Sequence, residues 1–499
     1  MSLAFIPLYI KFLGIEAYGI IGFFTTLQAM FTLLDLGLGY TLNRELARYS
    51  ILPEQGQKMR NLVRTLEIIY WGIAIFIGMT VVFISPFIAK YWIKSENLSI
   101  ATMQQALILM GIAIAFQWPL KFYSGGLDGL QKQTLHNLIQ SSVATLRGIG
   151  AVVILWLISP TIDAFFAWQI IVSLFNTILI ALALWYNLPT GKQIARFDKQ
   201  LLRSVWHFAT GMTAISATAL FLTQLDKILL SVLLPLKTFG YYMLANAAAA
   251  VLFHFISPIV TAIFPKFFQL VALNTEQELT MLYHRICQFM SIVILPAAVV
   301  LAMFSYQVML IWTGDPIIAE NTCWLVSFLV IGNALNGLIN LPCGIQLAYG
   351  WTNLIFYINL VSILVLIPML IVMVYYYGAI GAAIIWILLN VGHIIFNVQI
   401  MHRYLLKGEQ WRWYREDVGI PLIVALIITS LGRWLLPLNI SPLTTMIYIA
   451  GVSLIVLIVT AVATPHIRAS IYVNMDYYVH TVFAKYQIGL ITIKKIRPQ

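Results

Sequence analysis

Fourteen runs of apolar residues, most of them about twenty residues long, follow one another along this chain: 1–12, 18–42, 67–89, 103–121, 143–158, 164–187, 206–233, 240–264, 286–312, 322–347, 354–376, 380–401, 420–436 and 443–463. Runs of that length match a hydrocarbon core of about 30 Å when coiled into helices. Lipid offers the backbone no hydrogen bonds, so only helices and closed barrels can cross it. Barrel strands are short and alternate in polarity, and these runs do neither. The expected fold is therefore an all-α polytopic membrane protein of about fourteen transmembrane helices, the first of them incomplete. Composition agrees: 61% of residues are hydrophobic and 9% are charged, against about 25% charged in soluble domains.

The net charge of +11 might suggest nucleic acid, but the placement of the basic residues excludes it. With the N-terminus inside, most of the 29 Lys and Arg fall on the inner side, and only Lys11, Lys90, Lys94, Lys227, Lys237 and Arg433 fall outside or near outer helix ends. That asymmetry is the positive-inside pattern. It puts both termini in the cytoplasm, including a basic tail over 464–499.

The chain repeats itself. Leu13-Gly14-Ile15-Glu16-Ala17-Tyr18-Gly19 resembles Leu234-Pro235-Leu236-Lys237-Thr238-Phe239-Gly240, an offset of 221 residues, and Trp168 and Trp386 fit nearly the same offset. The repeat implies two six-helix lobes, 1–200 and 201–405, around a central cavity, with an added helix pair over 406–463. Six is even, so the lobes share one orientation about an axis along the membrane normal. On that register 1–12 matches only the outer half of 206–233. The expectation is that the natural protein begins upstream of Met1 or that this helix is truncated.

Within 208–234 two charges interrupt the apolar run, Asp226 and Lys227. Either costs about 2.5–3.5 kcal/mol at the bilayer centre, so both should face the bundle interior or water. At 100° per residue Thr213, Ser216, Thr223, Gln224, Lys227 and Ser231 share one arc, with Asp226 off its edge. As adjacent residues, Asp226 and Lys227 point about 100° apart and form no natural pair. Other helices carry similar stripes. They are Thr25, Gln28, Thr32, Asp35, Gly39 and Asn43 on 18–42; Asn246, His254, Ser257 and Thr261 on 240–264; Asn333, Asn336, Asn340 and Cys343 on 322–347; and Trp386, Asn390, His393 and Asn397 on 380–401.

Two readings compete for these stripes. Such groups bond across helix pairs in membranes, at about 0.6 kcal/mol each. Alternatively they line a hydrated cavity shared by the two lobes, and five stripes drawn from both halves favour that reading. His254 and His393 can titrate near neutral pH, or simply pack. Asp35 and Arg147 lie near inner helix ends, where an inner-surface salt bridge and snorkelling are the plain alternatives.

No Gly-rich nucleotide loop, metal-ligand spacing or cysteine pairing is present, and no loop exceeds about 25 residues, too short for a soluble domain. The short loops argue against a soluble catalytic head, and no cofactor is expected.

Several motifs resemble a known family: Pro7-Leu8-Tyr9 before Leu13–Gly19, then Leu34-Asp35-Leu36-Gly37-Leu38-Gly39, Arg44-Glu45-Leu46-Ala47-Arg48, Gly125-Gly126-Leu127-Asp128-Gly129-Leu130-Gln131-Lys132 and Leu225-Asp226-Lys227-Ile228-Leu229-Leu230. Together they look like the polysaccharide-transport branch of the multidrug/oligosaccharidyl-lipid/polysaccharide (MOP) exporter superfamily, nearest to its Wzx-type O-antigen flippases. The resemblance implies alternating access in a bacterial inner membrane and no enzymatic step. It implies a substrate made of a short oligosaccharide on undecaprenyl diphosphate, and coupling to H+ or Na+. It also implies polysaccharide polymerase and chain-length regulator partners. On this view Lys227 offsets diphosphate charge and Trp386 stacks on sugar. The alternatives are a MATE-like multidrug/cation antiporter and, from another class, a membrane glycan ligase or polymerase. The first would favour acidic stripes. The second would need a long outer loop.

Overall fold

The computed structural model describes residues 3–465 and 468 except 36, 51, 53, 54, 191, 192 and 438–440, and for 33, 204–217 and 219 it describes the backbone alone. In order its helices are α1 (Ile6–Phe31), α2 (Leu38–Ser50), α3 (Gly56–Phe87), α4 (Ile100–Gln117), α5 (Leu120–Gly129), α6 (Gln133–Leu157), α7 (Ile162–Asn187), α8 (Lys199–Leu233), α9 (Leu236–Ala249), α10 (Phe253–Ala272), α11 (Glu276–Met303), α12 (Ser305–Thr313), α13 (Pro316–Ala348), α14 (Thr352–Gly392), α15 (Gln399–Tyr404), α16 (Gln410–Arg412), α17 (Ile420–Trp434) and α18 (Pro442–Ala463). Among the described residues the sole β pairing is an isolated bridge between Lys94 and Pro235. Eleven described segments are long and apolar enough to span a membrane. This is an all-helical multi-pass membrane protein.

Helix boundaries follow local chemistry. Asp198, Asp315, Ser99 and Ser441 cap α8, α13, α4 and α18 by accepting the first free backbone N–H groups, as short polar side chains do. Gly14 (φ 82°) and Gly378 (φ 57°) bend α1 and α14 with backbone angles that other residues rarely adopt. The Gly14 bend separates the expected 1–12 and 18–42 segments, and the Gly378 bend separates 354–376 from 380–401. The expected single helix over 18–42 is corrected. It ends at Phe31, passes through a 3₁₀ turn over Thr32–Asp35, and restarts at Leu38 after Gly37 (φ 74°).

The chain forms two compact units, Met1–Ala248 with Ile355–Ile385, and Ala249–Leu354 with Trp386–Gln499. This division differs from the repeat boundary at 200/201, because α8 packs on α1, α2 and α3 and so joins the first unit. The expected tail over 464–499 lies almost wholly outside the described residues.

Within the first unit the repeated segments touch reciprocally. A Cβ on Gly19 would lie 2.7 Å from the Leu236 carbonyl oxygen, and a Cβ on Gly240 would collide with the Ile15 carbonyl oxygen. Gly19 and Gly240 are repeat equivalents, as are Ile15 and Leu236. Each glycine therefore receives the other segment's backbone, the pattern of a two-fold contact.

Because a methyl at either position must push backbone apart, Gly240→Ala should destabilise the protein by about 1–3 kcal/mol. Gly451→Ala, where a Cβ meets nothing within 4 Å, should be neutral. The thermal midpoint of the purified protein in detergent checks both. Equal midpoints for Gly240→Ala and wild type would remove this contact from the account.

Candidate functional site

The motif Gly125–Gly129 acts first as a packing surface. A Cβ on Gly125 would lie 2.7 Å from the Gly39 carbonyl oxygen, and one on Gly129 2.5 Å from that of Asn43. Small residues let helix backbones approach this closely, so α5 lies directly against α2. That crossing brings Lys121 Nζ to 2.9 Å from Asp35 Oδ2. The Tyr70 hydroxyl donates to the other Asp35 oxygen. Asp35 is buried, and its charge is matched.

Beside this pair lies a cavity of about 400 Å³, lined by Gln28, Thr32 and Asp35, by Gln117 and Lys121, and by His136 and Gln140. Gln28 Nε2 donates to Gln117 Oε1 at 2.6 Å, and His136 Nδ1 pairs with Asp128 at 2.9 Å. Gln117, Leu120 and Gln140 also line a smaller pocket of about 110 Å³ with Tyr9, Arg147 and Asn176. The two share Gln117, Leu120 and Gln140 in their walls, so two cavities lie side by side in the first unit.

Arg147 lines the smaller cavity. Its Nε is buried and has no hydrogen-bond partner among the described residues, and neither does the Asn176 Oδ1 atom. Arg147 also forms no ion pair among them. The expectation that it snorkels to the surface is corrected, because its side chain turns into the smaller cavity between α1, α6 and α7. A buried guanidinium nitrogen without a partner can donate to an oxygen of an anion. The sequence reading missed Arg147, Lys121, Gln117, Gln140 and Asn176 as residues of the two cavities. One signal was available: Gln169, Ser173, Asn176 and Thr177 share a helical face of α7 and are all buried.

The other expected residues fall elsewhere. Asp226 and Lys227 do pair, at 3.1 Å. Their Cβ atoms diverge, but the flexible lysine stem swings Nζ back, where it also donates to the Thr223 carbonyl at 2.8 Å. The Tyr242 hydroxyl completes Asp226. Thr25 and Thr223 are exposed and donate to carbonyls of their own helices. Gln224 and Asn246 are half-buried and His254 is exposed. The side chains of Thr213 and Ser216 lie outside the described residues.

In the second unit Asn333, Asn336, Asn390 and Asn397 bond across helices, while Asn340 bonds within its own. Asn333 accepts from Trp386 Nε1 at 2.8 Å and donates to the Ala249 carbonyl at 3.0 Å. Asn336 donates to Asn390 Oδ1 at 3.0 Å, and Asn340 to the Asn336 carbonyl at 2.9 Å. Asn397 accepts from Gln346 Nε2 at 2.7 Å and contacts Cys343. His393 is half-buried nearby. Trp386 packs closely against Gly332. For these residues the geometry is that of an interhelical ladder. A separate apolar groove of about 740 Å³ runs between α11, α13 and α17, lined by residues such as Val299, Trp324, Phe328 and Leu422, with Arg433 also in its wall.

Cysteines placed at Gln28 and Gln140, in a background with Cys287, Cys323 and Cys343 replaced, should react with a water-soluble thiol reagent. Cysteines at Asn390 and Asn397, each 1% exposed, should not. Labelling at both asparagine positions would replace the ladder with a cavity wall.

Comparison with known proteins follows the same lines. The model of the family described as "Polysaccharide biosynthesis protein" matches residues 1–271. The "Putative O-antigen transporter" of Shigella flexneri is 22% identical over 377 residues, 75% of this chain and 87% of that protein. Among solved structures, Lipid II flippase MurJ in an inward closed conformation superposes with a TM-score of 0.68 at 12% identity, covering 92% of this chain and 96% of that one. An inward-facing multidrug resistance MATE family transporter of the MOP superfamily superposes with a TM-score of 0.65 at 13% identity, covering 81% and 95%. At these identities the two structures speak to the fold alone. The proteins it resembles are transporters, not enzymes.

Proposed function

Because the chain belongs to the polysaccharide biosynthesis protein family, we propose that it is a flippase moving an undecaprenyl-diphosphate-linked oligosaccharide, an O-antigen or related repeat unit, from the cytoplasmic to the periplasmic face of a bacterial inner membrane. Alternating access is the mechanism, with both termini in the cytoplasm. The single observation that carries this reading is the pair of adjoining cavities in the first unit, with Arg147, whose buried Nε has no partner among the described residues, in the wall of the smaller one. Amide side chains give sugar hydroxyls both donors and acceptors. A diphosphate cannot cross bare hydrocarbon, and a guanidinium binds phosphate oxygens with two parallel hydrogen bonds. The apolar groove suits a prenyl chain, which needs only hydrocarbon contact. No covalent bond has to break.

The antiporter alternative is weaker on the same ground. A cationic drug calls for an uncompensated carboxylate, and the buried Asp35 beside the larger cavity is already matched by Lys121 and Tyr70. Coupling of transport to H+ or Na+, and polymerase and chain-length regulator partners, belong to the proposal on the family's pattern alone.

Deleting the gene should abolish surface glycan and cause complete lipid-linked units to accumulate on the cytoplasmic face. Normal glycan with greater sensitivity to cationic drugs would establish the antiporter instead. Units that reach the outer face but stay unpolymerised or unattached would establish an enzyme. In the complemented strain Arg147→Ala should lower transport about 10–100-fold, the worth of a charge-assisted contact of about 1.5–3 kcal/mol. Arg147→Lys should recover part of it, since lysine keeps the charge without the planar fork. Membrane levels of each variant, measured by immunoblot, separate loss of transport from loss of protein.

A further inference from the structure

The second unit holds a buried cluster of titratable side chains that the cavities of the first do not use. His284 on α11 is wholly buried. Its Nδ1 lies 2.5 Å from Asp417 Oδ2, and its Nε2 lies 3.0 Å from Glu409 Oε2. Asp417 is wholly buried too, in a π-helical turn over Trp413–Gly419, and also accepts from Gln288 Nε2 at 2.9 Å. Glu409, just before α16, is partly exposed and lies 3.6 Å from Arg412.

The neighbouring ionisable groups are otherwise engaged. Tyr283 lies 3.1 Å from His402 Nε2, and His402 Nδ1 lies 2.9 Å from the Val398 carbonyl. That arrangement is complete with a neutral His402 carrying its hydrogen on Nδ1. Arg412 and Arg415 hold Glu416 at 3.4 and 2.7 Å. Cys287, one turn along α11, is buried, and Cys343 on α13 bonds Asn397. Among the described residues no group of His, Cys, Asp and Glu is arranged to hold a metal ion.

The hydrogen count at His284 sets how many protons the cluster holds. Each imidazole nitrogen either carries a hydrogen and donates or presents a lone pair and accepts. Both nitrogens here face carboxylate oxygens, so each contact needs a hydrogen. A neutral ring brings one. The second sits on the ring or on a carboxyl group, and either way the three groups hold two protons. Taking one away sets lone pair against lone pair in a buried site, where water cannot intervene. With imidazolium, two carboxylates and Arg412, the charges also cancel.

We propose that His284, Asp417 and Glu409 form a proton-binding site that latches the start of α11 to residues 409–419, closed while it holds two protons and released when one leaves. Glu409, the exposed member, is the proton's route. The proposal stands independently of the substrate. Wherever the released form holds one proton fewer than the closed form, closure weakens as pH rises. Where both forms hold two, closure is independent of pH.

Hydrogen–deuterium exchange on the full chain in lipid nanodiscs, from about pH 6 to about pH 9 and corrected for intrinsic exchange, tests it. Amides of 409–419 and of the first turns of α11 should lose protection, with an opening constant that grows about tenfold per pH unit in the upper part of that range. In Asp417→Asn the amide can donate to Nδ1 while a neutral ring donates from Nε2 to Glu409. Glu409→Gln does the same from the other side. Both variants should therefore keep protection flat across the range. If Asp417→Asn does not purify, Glu409→Gln, altered at a partly exposed side chain, decides. Flat protection in the wild type, or the wild-type slope retained in Glu409→Gln, overturns the proposal.

Discussion

The first unit depends on a contact in which no side chain takes part on one side. Gly19 and Gly240, equivalent positions of the internal repeat, each admit the backbone of the opposite segment. Around that contact other ties collect. The Leu236 amide bonds to the Lys94 carbonyl at 2.7 Å, and Trp92 Nε1 bonds to Ser231 at 3.0 Å. Buried Glu16 accepts from the Ser95 hydroxyl, from the Glu96 and Asn97 amides and from the Asn97 side chain. In lipid, apolar surface gives helices no preference for one another over the acyl chains, so close backbone approach and shared hydrogen bonds set which helices meet.

The same rule builds the larger cavity of that unit. Gly125 and Gly129 seat α5 on α2, and the charges that result are matched locally: Asp35 by Lys121 and Tyr70, Asp226 by Lys227 and Tyr242. An unmatched charge in the membrane is expensive, and most of the charges buried here are matched by neighbours. Arg147 departs from that pattern, and its surroundings are amides and a tyrosine rather than carboxylates. Under the proposed function that guanidinium would meet the anionic diphosphate, and the uncharged amides beside it would add hydrogen bonds.

Asparagine serves a different end in the second unit. Asn333, Asn336, Asn390 and Asn397 satisfy one another, Trp386 and nearby carbonyls across helices, and three of the four are nearly inaccessible. A polar side chain on an apolar helix must find a partner. Whether that partner is a ligand, water or another helix depends on what the neighbouring helix presents at the same height.

The sequence by itself determined the class, most of the helical spans, the internal repeat and the family; the expected spans 18–42 and 286–312 are each broken in two, the second at Phe304. What the sequence determined rests on local properties: run length, the backbone's need for internal hydrogen bonds in lipid, and short glycine-rich motifs. It also identified Gln28, Thr32 and Asp35, because a single helix face lists its own polar residues. Periodicity cannot say what covers that face. The 18–42 stripe crosses a glycine break that hydropathy does not register. The reach of a long side chain is likewise invisible to an angular plot, which is why Lys227 swings back to Asp226 and Arg147 turns inward rather than snorkelling. Only the tertiary structure set His284 between Glu409 and Asp417, more than a hundred residues away. A π-helical turn changes the facing of Asp417 by a residue that no 3.6-residue period anticipates.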